Sequence, residues 1–361
     1  VELQASNNID VNESISKTGG TSASLTFTAN NDITINEEIK STSNALNLTF
    51  IAANDLTIGA DITTNEGDVS FTASNDFTTG AGSTIIGGDI SIFASNIDLN
   101  GPIEGFAANA GSLFLDATGQ VNLNSTIGAT TPLQNIYIDT ADFIGSTSSS
   151  MSASFVDLFD NAGDLSIDTE IMANDSVNIN TTGSLDINNT IDAGGFLDLF
   201  ADGAVTVNAD LQSDIWIDIN SRTDDIILNA GLSTGTVPFQ GSTQYYGGGV
   251  FSQPDGEFSQ PDGEFESEPP LLEKASIFLN ADGNIVNNLE DSSRIDPGES
   301  FILAFSQTND FIGDIPFPNT LFGQDFQSFD PAVLDEAVNT LIVSESGSSG
   351  SIADLLLSGD E

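Results

Sequence analysis

Aspartates recur in register along this chain, and the chemistry open to them is the binding of hard cations through oxygen. Asp32, Asp55 and Asp76 follow one another at intervals of 23 and 21 residues, and Asp116 and Asp139 are 23 apart. In a chain that coils with that period, such carboxylates would stack about 5 Å apart and repel unless water or a cation screens them. Weak, millimolar-type calcium association is therefore a candidate role for these five, set against the alternative that they fan apart into solvent. Neither the loop D-x-[DN]-x-[DN]-G-x5-E nor a tandem G-G-x-G-x-D-x-U-x nonapeptide occurs, so the sequence holds no dedicated calcium motif.

Catalytic chemistry is poorly supplied. Histidine and cysteine are absent, which removes the usual general base, the thiol nucleophile and most transition-metal sites. No glycine-rich phosphate loop is present. Arg222 with Asp218, Asp224 and Asp225 is the only local group that resembles the base-beside-acid arrangement of a polysaccharide lyase. An arginine at a turn, paired with neighbouring carboxylates, is the plainer reading. No enzyme is expected, and a polysaccharide lyase or hydrolase stays a remote alternative. Candidate binding anchors are the aromatic residues Tyr245, Tyr246, Phe251 and Phe258, in and before a tandem F-S-Q-P-D-G-E.

What must position all of these is a repeat. Blocks open at Val1, Leu25, Leu48, Val69, Ile90, Leu113, Ile136, roughly Leu158, Val177, Leu197, Ile217 and Ile277. Spacings of about 20–24 residues, with one gap of 60, mean a solenoid in which each repeat is one turn. Apolar residues alternate at each opening (Leu25/Phe27, Leu48/Phe50), which is the strand period with one face buried. A second alternating pair follows (Ile9/Val11, Ile33/Ile35, Leu185/Ile187), and then a single apolar residue such as Ile15, Ile39 or Ile191. Two strands and a short third per turn predict an all-β parallel β-helix.

Two polar columns accompany the strands. Asn7, Asn31, Asn54, Asn75, Asn96, Gly119, Asp142, Gly183, Gly203 and Gly283 share tolerance of the left-handed backbone, so this corner is expected to need positive φ. Asn12, Asn36, Asn100, Asn124, Asn188, Asn208 and Asn229 are expected to form an amide ladder from turn to turn.

Repeats fill residues 1–235. Residues 236–272, with their Pro-Asp-Gly turns, read as an extruded flexible loop. The coil resumes over 273–314, and 315–361 reads as a C-terminal cap and mobile tail with a short helix at 330–338. Val1 already stands in register, so the chain is expected to be a piece of a longer one.

Charge narrows the partners further. Asp plus Glu number 54 and Lys plus Arg 5, a net charge of −49. Without a basic patch, nucleic acid and anionic membranes are excluded as partners. No stretch of 18 consecutive apolar residues occurs, so no helical membrane span is expected.

Blocks such as Ala52-Ala53-Asn54-Asp55-Leu56-Thr57-Ile58 and Gly183-Ser184-Leu185-Asp186-Ile187-Asn188, with tails such as Asn189-Thr190-Ile191, resemble the filamentous-haemagglutinin-like exoproteins of bacterial two-partner secretion. The likeness covers about 1–235 and 275–310. It implies a right-handed parallel β-helix, export through a dedicated outer-membrane pore, and a secreted or cell-surface location. It also implies a role in adhesion. The family's N-terminal secretion domain is not in this sequence. The expected function is the shaft of a large adhesin, contributing to attachment to a cell surface, host or glycan. The alternative is a glycan-binding module acting through 236–272 or the acidic rod face.

Overall fold

The structure is a computed structural model, and it describes residues 1–235, 275–289, 295–296, 301–306, 311–312 and 320–323. Among the described residues there is no helix; parallel strands stack as a β-solenoid of about 11 turns. At about 4.8 Å per rung, that is a rod on the order of 50 Å long.

Alternation dictates the wall. In the strand Leu46–Ala52 the burial alternates along its length, with Leu46, Leu48, Phe50 and Ala52 inside and Asn47, Thr49 and Ile51 outside. Its parallel neighbours put Leu25 and Val69 beside Leu48, and Phe27 and Phe71 beside Phe50. The core is therefore built of vertical columns of like residues. Phe27, Phe50 and Phe71 are fully buried, with ring centroids 4.9 and 5.1 Å apart and planes within 3° and 12° of parallel. A rung spacing of about 4.8 Å is also an offset-stacking distance, so identical rings in register satisfy both the ladder and the core.

The period is tighter than the alternation alone suggests at one place. The rung after Ile136 begins at Val156, not near Leu158. Both residues point inward, so a slip of two leaves the apolar pattern unchanged and only the pairing reveals it. The third-strand column runs Ile127, Met151, Ile171, and Met151 fills the place where the isoleucine series skips a turn.

The positive-φ reading of the corner is overturned. Among the described residues positive φ occurs at Asn44, Asn65, Glu66, Asn109 and four glycines, and none of the ten corner residues is among them. What the corner glycines provide is room. A Cβ on Gly183 would lie 2.2 Å from the carbonyl carbon of Gly163 one turn below, and backbone there has no freedom to yield. Gly183→Ala should therefore cost roughly 1–3 kcal/mol, the usual range for overpacking. Gly82→Ala, where nothing lies within 4 Å, should be close to neutral. Urea midpoints of the two variants check this; equal midpoints would refute the close-approach account.

Coiling survives the long insertion. Ile217 pairs directly with Ile277 across the 60-residue gap, and Ile226 with Ile285. The loop expected at 236–272 lies outside the described residues, as does the helix expected at 330–338. Parallel pairing continues past Ile315, because Thr320–Gly323 pairs with Phe301–Ser306 although the apolar period has faded there.

Candidate functional site

The aspartate columns sit where the sequence places them, and their partners are amides. Asn54 Nδ2 donates to Asp32 Oδ1 at 2.7 Å, Asn75 Nδ2 to Asp55 Oδ1 at 2.7 Å, and Asn96 Nδ2 to Asp76 Oδ1 at 2.9 Å. The backbone N–H groups of Asp55 and Asp76 reach the same oxygens of the rung below at 3.3 Å. Each carboxylate thus accepts hydrogen bonds from the next turn and fastens it. Asp116 and Asp139 are register partners on the outer face, and Asp139 Oδ1 accepts from Asn161 Nδ2 at 2.6 Å. Among the described residues no three His, Cys, Asp or Glu side chains gather into a metal-holding group. What these columns can do chemically is hold coils together through charge-assisted hydrogen bonds.

The expected amide ladder is present. Asn36 Nδ2 donates to Asn12 Oδ1 at 2.8 Å, Asn124 to Asn100 at 3.1 Å, Asn208 to Asn188 at 2.9 Å and Asn229 to Asn208 at 2.7 Å. It is interrupted after Asn36, where Gly59 and Gly80 take the position. A third polar column was hidden in the sequence. The last inward residue of the long strand is Ala in the early turns, then Thr140, Asp160 and Thr181, then Ala201 and Ser221. Thr140 Oγ1 donates to the Gly119 carbonyl at 3.0 Å and Ser221 Oγ to the Gly203 carbonyl at 2.8 Å. Small residues in an inward column were the available signal.

The arginine cluster is not assembled. Arg222 Nη1 meets Asp202 Oδ1 at 3.2 Å in an exposed pair, whereas the Asp224 carboxylate accepts from the Asp225 backbone and Asp225 from Asn284. Arg222 instead borders a shallow concavity of about 400 Å³, shared with Asp164, Ser184 and Asp202. Tyr245, Tyr246, Phe251 and Phe258 lie outside the described residues.

A surface not singled out by the sequence stands on the outer side of the long first strands. Phe114 and Tyr137 stack with centroids 4.7 Å apart and planes 1° from parallel; Phe93 and Phe159 extend the row at 5.6 Å on either side. Further along, Trp216 meets Phe196 at 4.6 Å and Phe278 at 6.0 Å. Asp157, Asp198 and Asp218 alternate with these rings on the same face, and Asp198 and Asp218 are register partners on adjacent rungs. Burial pushes the Asp198 carboxyl up to about 6. Burial, then the Asp198 charge, pushes Asp218 up to about 7, against a 2.7 Å hydrogen bond from Asn220 Nδ2. Asp157 is raised by burial, opposed by a hydrogen bond with Asn178. The Tyr137 hydroxyl is raised by burial and by Asp139, Asp157 and Asp116. Two half-buried carboxyls one rung apart cannot both ionise cheaply, so this face takes up protons at mild acidity.

No family model matches the chain, and no curated protein or solved structure matches it either.

Proposed function

We propose that this chain is the shaft of a large secreted or surface-displayed bacterial adhesin of the filamentous-haemagglutinin type, delivered by a two-partner secretion pore. The observation that carries the reading is continuity: every described turn hydrogen-bonds to the next in register, and side-chain amide, carboxylate and phenyl columns repeat the connection. Such a rod resists bending and has its polar groups committed to coil-to-coil contacts. That suits a spacer more than a catalyst. The resemblance of the repeat blocks to that exoprotein family supplies the adhesin and export parts of the proposal.

A glycan-binding role is the second reading, favoured by the aromatic and carboxyl columns of the outer face. Phe114 and Tyr137 stack parallel and close their facing sides, so it is the rings at the ends of that row, Phe93 and Phe159, that offer a ring face for sugar stacking.

The deciding measurement is binding of the purified chain to a panel of immobilised polysaccharides and glycans, with calcium and with chelator. A shaft gives no saturable signal in either condition while its circular dichroism stays that of a β-fold. Saturable binding to one glycan class, lost on Phe93→Ala, would replace the shaft reading with the second one. Turnover of a uronate polymer, lost on changing Arg222, would replace both.

A further inference from the structure

The long first strands carry three outward columns, and no described rung places a Lys or Arg on any of them. From the rung of Ile90 to that of Ile277 these columns hold aromatic rings, Asn, Ser and Asp. Phe93 and Phe155 are 37% and 38% exposed, high for residues of this type in a wall whose inner partners are fully buried.

We propose that this outer face is a lateral self-association surface, on which two copies of the chain pack face to face through their aromatic columns. It goes beyond the shaft reading and does not depend on it.

Size and charge both point to a second copy. Eight rungs of about 4.8 Å and six residues of about 3.3 Å give a flat face on the order of 750 Å², close to the ~800 Å² per partner of a standard interface. Flat sheets of like composition pack about 10 Å apart with side chains interdigitated. At neutral pH the face repels itself, because Asp116, Asp139, Asp157, Asp198 and Asp218 stand on it with no cation, and the whole chain carries −49. Among the described residues the basic group on the neighbouring rungs is Arg222, which is held at the corner by Asp202.

The strands on either side of the Asp198 and Asp218 pair set no charge beside it: Glu170–Thr181 contributes Asn178 and Asn180, Ala275–Ala281 contributes Phe278 and Asn280, and Asp157 stands one rung beyond Asn178. Protonation of Asp218 and Asp198, raised to about 7 and 6, removes first the two charges toward the Ile277 end of the face. A protonated carboxyl is also a donor, able to bond an Asn or carboxyl oxygen across the interface.

Sedimentation velocity of the full chain at pH 7.5 and 5.5, in constant salt, tests this. The expected result is monomer at pH 7.5 and dimer at pH 5.5. The double variant Asp198→Asn/Asp218→Asn should dimerise at pH 7.5, at least roughly tenfold more tightly than the wild type. Phe93→Ser/Phe155→Ser, at exposed positions, should stay monomeric at pH 5.5. A wild type that is monomeric at both pH values overturns the proposal. So does pH 5.5 association that the Phe variants leave unchanged, since that would be general loss of repulsion. If the Asn variant fails to fold, the wild-type and Phe arms decide.

Discussion

Phe50→Ala should lower the stability of the solenoid by about 3–5 kcal/mol, the range for truncating a buried phenyl in a core that cannot collapse. Phe50 is fully buried between Phe27 and Phe71, at centroid distances of 4.9 and 5.1 Å. Truncation removes both stacking partners at once and leaves a gap that rigid, hydrogen-bonded strands on every side prevent from closing. A repeat rod also responds in a particular way. Stability is a sum over turns and their neighbour contacts, so loss at one rung weakens coupling between the turns on either side. Denaturant unfolding should therefore shift to a lower midpoint and split or broaden, with the turns before Phe50 melting first. A variant whose midpoint and cooperativity match the wild type would show that the phenyl column is dispensable.

Asp218→Asn should stabilise the protein by about 2 kcal/mol at pH 8 and by nearly nothing at pH 4. Burial and the Asp198 charge raise the folded carboxyl from an ordinary 3.8 to about 7. The native state then holds a proton that the unfolded chain releases across that window. Stability contributed by this group is fully present below about 4, is lost as pH rises toward 7, and is flat above. Three pKa units correspond to about 4 kcal/mol at most, and partial solvent access roughly halves that, to ~2 kcal/mol. Asparagine cannot ionise and keeps a hydrogen-bonding partner for Asn220. Urea midpoints at pH 4, 6 and 8, read at one protein concentration, should converge at the acid end and diverge at the alkaline end. Parallel pH profiles for the two proteins would sink the argument.

The wall of the fold was legible because strand alternation and a fixed period are both written in residue type. Leu25/Phe27 and Leu48/Phe50 needed only the rule that successive side chains point to opposite faces. The Asn12 to Asn229 ladder was legible for the same reason, since an amide repeated once per turn has only its own copies as neighbours. The corner was misread because Gly, Asn and Asp satisfy two different demands, and residue type alone does not separate positive φ from close backbone approach. Gly183 shows the second demand, with another backbone where its side chain would be. The slip at Val156 was invisible because a two-residue shift preserves every inward position. The acidic face was expected, but the burial of Asp157, Asp198 and Asp218 on it escaped notice because they look like ordinary solvated positions in an acidic chain. Their character comes from flanking rings on the same and adjacent strands, which are neighbours only once the register is known.

The direct pairing of each turn with the one before it bears on how such a chain becomes ordered. Contacts reach back about 20 residues, and 60 at the one long insertion, so every other loop that must close is short and alike. A chain arriving end first can lay down one coil as soon as the next stretch appears, each coil templating its successor. Every completed rung adds hydrogen bonds and buried columns, and so presents a finished edge on which the next coil can form.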